Sequence, residues 1–472
     1  MEVIHRIQSR HKEKRLEAGD RLSMLDEFGG RRFIIPAEVL GRFRKWRNWV
    51  YFILMAIFLG LPWIKVGGHQ ALHFDIGQRR FVVFGSVFHA HEAPIIFYLL
   101  AISVLALALM TAIWGRVWCG WACPQTVFID LVYRRIEQWV EGGYIERRKL
   151  YLGPMTATKF RKYSFKWFLY FVVSSLFAHS FIAYFSGANE LLAMTQRPPE
   201  QNMTYFLLVT VTTAVLMFNF GWFREQFCII MCPYGRIQSL LMDRSTINVM
   251  YDSDRGEPRK GSVPVGKTQG DCVNCLRCVQ VCPTGIDIRK GIQMECIGCT
   301  ACIDACDEIM TKVKKPLGLI SYRPTVIRSH RRVRSRVVGY SALLGLMVIM
   351  FIWSVARREP YSALVLRAKD TPYQVLQGDL ILNHFKAHLI NQSGGTQIFR
   401  FELPPEAEKE GISLTTSAPQ YTVASGQSTE VHVFVRFPKL RLAGKTEGQI
   451  PFLLKELGTA SNREMNFSVV GP

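Results

Sequence analysis

The chain reads as an α-helical membrane protein of five transmembrane helices, with a cysteine-rich domain inserted after the fourth helix and a C-terminal all-β immunoglobulin-like sandwich. Three observations predict this. Five apolar stretches approach the ~20 residues needed to cross ~30 Å of hydrocarbon. Eight cysteines form two identical four-cysteine runs between Cys272 and Cys306. The last ~115 residues alternate apolar and polar side chains, are punctuated by turn signals, and hold no cysteine. A formal charge of +21 beside 49% hydrophobic residues suits basic loops flanking membrane spans. It argues against nucleic acid as a partner, because the Lys and Arg do not gather in one domain. A length of 472 residues calls for two or three units.

Residues 1–47 are rich in Lys and Arg and lack the early apolar core of a signal peptide, so they read as a cytoplasmic tail. Its end, RRFIIPAEVLGRFRKWRNW (31–49), interleaves basic and aromatic residues. It either lies along the lipids of the anionic inner leaflet or is a solvated basic tail. The membrane domain, 48–243, holds apolar segments at 48–65, 94–114, 166–186 and 204–223, and a fifth span follows at 337–356. With the N-terminus inside, roughly forty Lys and Arg fall on the cytoplasmic side and about three in the outer loops, which orients the chain with its C-terminus outside.

The outer loop 66–93 carries His69, His73, His89 and His91 and a strand-like run, FVVFGSVF (81–88). These histidines are interfacial side chains or a haem or copper site. His179 is the stronger functional candidate, because an ionisable group at membrane depth needs a partner.

The second span ends in GRVWCGWACPQTVF and the fourth in FREQFCIIMCPYGR, so Cys119 and Cys123 repeat as Cys228 and Cys232, each pair followed by Pro. The spacing predicts both sulfurs of a pair on one helix face. Two such hairpins side by side offer up to four soft ligands, suited to Cu(I) or a further cluster; four idle buried thiols are the alternative.

Residues 244–336 form the inserted cytoplasmic domain. GSVPVGKT (261–268) matches a P-loop by letter, but no strand precedes it and no helix follows, so no nucleotide is expected. The two C-x2-C-x2-C-x3-C runs are the spacing of a bacterial ferredoxin with two 4Fe-4S clusters, in which the last cysteine of each run serves the other cluster. That assigns Cys272, Cys275, Cys278 and Cys306 to one cube and Cys296, Cys299, Cys302 and Cys282 to the other. Structural zinc would pair two knuckles across a longer gap, and disulfides need an oxidising compartment. In the tail, 357–472, segments such as DLILNHFKAHLIN and STEVHVFVRF predict about seven strands of a sandwich, either partner-binding or anchoring.

The two C-x3-CP hairpins, MYDSDRGEPR (250–259), CPTGIDIRKGIQMECIGCTACIDACDE (282–308) and the cysteine-free tail together resemble the cytochrome c oxidase accessory proteins called CcoG, FixG or RdxA. The resemblance spans nearly the whole chain. It implies a bacterial inner-membrane iron–sulfur protein, its C-terminus periplasmic, that reduces Cu(II) to Cu(I) for assembly of cbb-type oxidase, with copper chaperones and assembly factors as partners. It carries Cys119, Cys123, Cys228 and Cys232 over to a catalytic copper site. The other functions are a polyferredoxin passing electrons from quinol or a soluble donor to a partner enzyme, and a non-redox assembly scaffold.

Overall fold

The computed structural model describes residues 33–77, 80–89, 92–261, 268–324, 334–358, 361–368, 371–392, 395–424, 426–442, 445–457 and 462–472. The tail up to residue 32, His91, the side chain of His89 and residues 262–267 of the P-loop-like stretch lie outside them. The chain forms two compact units, one of residues up to Trp63 with Ile96–Phe351, the other of Ile64–Ile95 with Ile352–Pro472.

In the first unit, four helices are long and apolar enough to cross a membrane: Pro94–Trp114, Ala157–Ser186, Met203–Phe223 and Ser335–Ala356. The one expected at 166 starts at Ala157, because the Thr156 side chain accepts the Lys159 N–H and a basic stretch continues the helix ahead of the apolar run. The segment expected as the first span is the helix Arg42–Gly60, broken by a tight turn at Leu61–Trp63 that contains Pro62. It is not among those four, because Arg42, Arg44, Lys45 and Arg47 occupy its opening turns.

That helix is tied to the inserted domain. Asp304, between two cluster-type cysteines, accepts from the backbone N–H groups of Phe43 at 3.1 Å and Arg44 at 2.7 Å, capping the helix with a negative charge at its positive end. Gly41 is required for this approach, since a Cβ there would lie 2.2 Å from the Asp304 carboxyl carbon. The preceding stretch packs in part on protein where described, with Leu40 left exposed. Ala37 donates to the Gln280 carbonyl at 2.9 Å, and Ala37 and Val39 are buried against Val281, Ile297 and Cys299. Apolar Ala37 and Val39 beside an apolar protein face are covered by protein rather than by solvent.

The inserted domain is closed by an antiparallel pair, Ile247–Tyr251 with Ile320–Pro324, over a core of Ile288, Ile303, Met310 and Leu319. The second unit contains a nine-stranded sandwich among the described residues. One sheet is ordered Ser413–Thr416, Ser428–Pro438, Leu380–Asn391, Tyr361–Arg367, with Gln374–Leu376 also on Leu380–Asn391. The other is ordered Tyr421–Val423, Gln397–Glu402, Glu447–Glu456, Asn462–Val470. Strict alternation along Leu380–Asn391 sends Ile381, Phe385, Ala387 and Leu389 inward. The Phe452 and Phe467 rings stack at 4.0 Å in the same core. The run read as one strand at 81–88 is a hairpin, Arg80–Val83 with Ser86–His89, turned by Phe84 and Gly85, both at positive φ.

Candidate functional site

The two four-cysteine runs fold alike. Leu276 at φ 58° and Thr300 at φ 62° take left-handed conformations just before the short helix Arg277–Gln280 and the helix Ala301–Lys312. Each follows the second cysteine of its run and turns the third toward the first two. Two small cavities result. One is lined by Cys272, Cys275, Cys278 and Cys306 with Tyr251 and Ile320; the other is lined by Cys282, Cys296, Cys299 and Cys302, and Cys278 lines it too.

All these thiols are free. Burial pushes Cys278 and Cys306 up to about 12, and Cys272 and Cys275 add to the rise at both. Burial likewise lifts Cys282 to about 12 and Cys296 to about 11, each also raised by Cys299. Thiols so desolvated ionise only against a bound cation, which is the donor chemistry of an iron–sulfur cluster. The residues therefore fit two 4Fe-4S groups, with one set of four for each.

The C-x3-CP motifs depart from the expected single helix face. In both copies the helix is interrupted: Cys119 lies in the short helix Val117–Trp121 and Cys228 in the turn Phe227–Met231. Cys123 and Cys232 stand as extended N-caps, at φ −63° and −70°, to the new helices Pro124–Phe128 and Pro233–Leu241. Proline lacks the N–H that would continue the old helix and is preorganised for the first turn of a new one. The repeat extends four residues upstream of each first cysteine, where Gly115 at φ 55° and Arg224 at φ 53° both turn left-handed.

The two motifs meet. Burial drives the Cys228 thiol upward, and Cys123, Cys119 and Cys232 all contribute to that rise. Burial lifts Cys119 to about 11, opposed by the Gln238 amide, which donates to its sulfur at 3.0 Å. Gln238 sits on the helix that follows the second motif and reaches back to the first.

The paired motifs abut the second cluster-type cavity. A Cβ on Gly120 would fall 2.5 Å from the Gly298 carbonyl oxygen and 2.9 Å from the Cys299 Cα, so only glycine permits this contact. Arg116 donates to the Cys296 carbonyl at 2.9 Å, to Met294, and to Gly235 at 3.2 Å, joining both motifs to the cluster loop. Arg47 donates to the Cys299 carbonyl.

A buried ion network holds these parts. Asp130 accepts from Arg134 at 2.7 Å, Arg47 at 3.0 Å and Arg44 at 3.1 Å, and Arg134 also pairs with Glu225. Glu137 accepts from Arg224, from Tyr170 at 3.0 Å, and lies 3.5 Å from Arg147. None of Gln238, Gly120, Asp130 or Glu137 stood out in the sequence; the Asp130 to Arg134 spacing of four is the one local signal.

His69 and His73 lie in short strands of the second unit, and His179 bonds through Nδ1 to the Ser175 carbonyl of its own helix at 2.7 Å. Among the described residues, no three Cys, His, Asp or Glu side chains are gathered tightly enough for a single metal ion.

Comparison with known proteins follows this layout. A family model for a 4Fe-4S dicluster domain matches residues 223–325, one for a 4Fe-4S binding domain matches 96–142, and one for the IG-like fold at the C-terminal of FixG matches 351–470. Protein RdxB of Cereibacter sphaeroides is 36% identical over 417 residues, 84% of this chain and 86% of that protein. Protein RdxA of the same organism is 35% identical over 427 residues, 86% of this chain and 89% of that protein. The nitrogen fixation protein FixG of Rhizobium meliloti is 38% identical over 301 residues, 62% of this chain and 57% of that protein.

Proposed function

The chain belongs to the RdxA, RdxB and FixG family of membrane iron–sulfur proteins, and from that premise we propose that it is a cupric reductase serving assembly of a cbb-type cytochrome c oxidase. The observation that carries the proposal is the meeting of Cys119, Cys123, Cys228 and Cys232 against the Gly298–Cys299 loop. Bound at the eight ferredoxin-type cysteines, 4Fe-4S clusters supply one electron each. The chain's own residues then act on copper as substrate. Thiolates favour Cu(I) over Cu(II), so a four-thiol site stabilises the reduced product relative to the substrate. Copper binding offsets the desolvation that keeps the Cys119, Cys123 and Cys228 thiols protonated, and thiol protons leave as metal enters. Gln238 holds the Cys119 sulfur through its amide, and Arg116 keeps both motifs at the cluster loop.

A second reading has its own support. A cube spreads its ligand sulfurs further apart than one ion does, and a 4Fe-4S binding domain matches 96–142, which contains Cys119 and Cys123. One anaerobic preparation separates the two. About eight irons and eight sulfides per chain, the sum for two 4Fe-4S clusters, together with Cu(I) formation by the dithionite-reduced protein, is the expected result. About twelve irons and no Cu(I) would turn the four cysteines into ligands of a third cluster.

In this reading the helix Arg42–Gly60 is a fifth span, the cysteines face the cytoplasm, and the IG-like unit is periplasmic, where it meets assembly factors or copper chaperones. The Lys and Arg asymmetry of the loops supports that orientation. Reporter fusions at Pro472 and within 255–261 are expected to give opposite compartment signals; matching signals would mean one span fewer.

A further inference from the structure

The first unit holds a cavity of about 320 Å³ whose walls include Tyr151, Tyr163, Trp167, Tyr170 and Trp222. Trp167 and Trp222 are 38% and 47% exposed and belong to two of the apolar helices, Ala157–Ser186 and Met203–Phe223. Exposed tryptophans near the ends of spans mark the membrane–water interface. Gly221 helps leave the room: a Cβ there would stand 3.1 Å from the Trp167 ring and 3.3 Å from that of Tyr170.

The same cavity has a charged lining unlike that of a lipid groove. Glu137 is committed to Arg224, Arg147 and Tyr170, and ion pairing holds its carboxyl down at about 2 against the opposing effect of burial. Glu141 is paired with Lys166 alone among the described residues, at 2.5 Å, and is buried. Arg147 lines this cavity and a neighbouring one of about 180 Å³, which Cys299 also lines. An aromatic chamber at the membrane interface is thus one side chain away from a space that reaches a cluster-type cysteine.

Three requirements converge on one ligand class. Aromatic walls at the edge of hydrocarbon suit a planar ring with an apolar tail. A buried carboxylate with a single ionic partner suits proton exchange. Two one-electron clusters suit a two-electron donor. Acyl chains need no buried carboxylate, and a soluble anionic donor needs no aromatic chamber.

We propose that this cavity binds a membrane hydroquinone as the electron donor, with Glu141 as acceptor of its first proton; this rests on the iron–sulfur reading above. The hydroquinone loses two electrons and two protons and becomes the quinone. Each of the two oxidised 4Fe-4S clusters takes one electron, Glu141 takes one proton from an O–H, and the second proton leaves to water. Arg47 and Arg116, bonded to the carbonyls of Cys299 and Cys296, add positive charge beside the acceptor, which favours its reduced form.

The test uses the full chain with its iron, in lipid nanodiscs. Duroquinol is expected to bleach the clusters, and decylubiquinone to bind in a calorimetric titration. Glu141→Gln should slow duroquinol-dependent bleaching at least tenfold and flatten its pH profile, while dithionite reduction stays unchanged. Gly221→Ala should weaken decylubiquinone binding at least tenfold. Absence of decylubiquinone binding by wild-type protein of full iron content, or wild-type behaviour of both variants, overturns the proposal. Cu(I) formation by dithionite-reduced protein that ignores duroquinol would sink the donor site alone. Duroquinol bleaching without Cu(I) formation would sink the copper reading alone.

Discussion

Replacing Cys123 and Cys232 together with serine is expected to abolish copper reduction and weaken copper binding while leaving about eight irons, the content of two 4Fe-4S clusters. The two residues are structural equivalents, each an extended N-cap ahead of a proline. Serine is a favoured N-cap, so the helices Pro124–Phe128 and Pro233–Leu241 keep their starts and the loss is confined to two sulfurs. None of the eight ferredoxin-type cysteines is altered, so the visible spectrum of the clusters is expected to persist. Full copper reduction by the double variant would remove these motifs from the mechanism and turn attention to the outer-loop histidines. A fall from about twelve irons to about eight would instead identify the motifs as ligands of a third cluster.

The largest expected effect on stability comes from Asp130→Asn. Asp130 is 5% exposed and faces Arg134, Arg47 and Arg44, of which Arg47 is 2% exposed. Removing one member of a buried ionic group leaves the others charged and uncompensated, at a cost of about 3–5 kcal/mol. The loss should also loosen the Cys299 loop, because Arg47 bonds Asp130 with one guanidinium nitrogen and the Cys299 carbonyl with the other. Burial opposes the Asp130 charge, and Arg134, Arg44 and Arg47 overcome it, holding the carboxyl well below its ordinary 3.8. A carboxyl depressed in this way contributes fully above its unfolded value and loses its contribution as pH falls below it, so wild-type stability should decline below about pH 4. That part of the decline should be missing in the Asn variant. Thermal unfolding followed by circular dichroism between pH 3 and 7 measures both effects. Equal midpoints for the two proteins at pH 7 would show that Asp130 does not hold the site together.

The sequence by itself determined whatever is written in local spacing. Two identical four-cysteine runs specify two alike turns because each needs only a few residues of backbone, and both turns occur, at Leu276 and Thr300. Apolar runs of about 20 residues specify helices, and strict alternation specifies which face of Leu380–Asn391 is buried. The repeat of the C-x3-CP motif was equally legible, but the shape of the motif was not, because proline turns a four-residue spacing into a break between helices.

The tertiary structure alone decided what depends on residues far apart in the chain. Gln238 on Cys119, Arg47 on Asp130 and Cys299, Asp304 on the start of the Arg42–Gly60 helix, and Gly120 against Gly298 each join positions from 83 to 261 residues apart in the chain. No periodicity reports such a contact, since a buried arginine and a solvated one look the same in a basic stretch until its carboxylate partner arrives from another element. The same holds for the loop at 64–95, which reads as a connection between spans but clusters with the C-terminal sandwich in one compact unit.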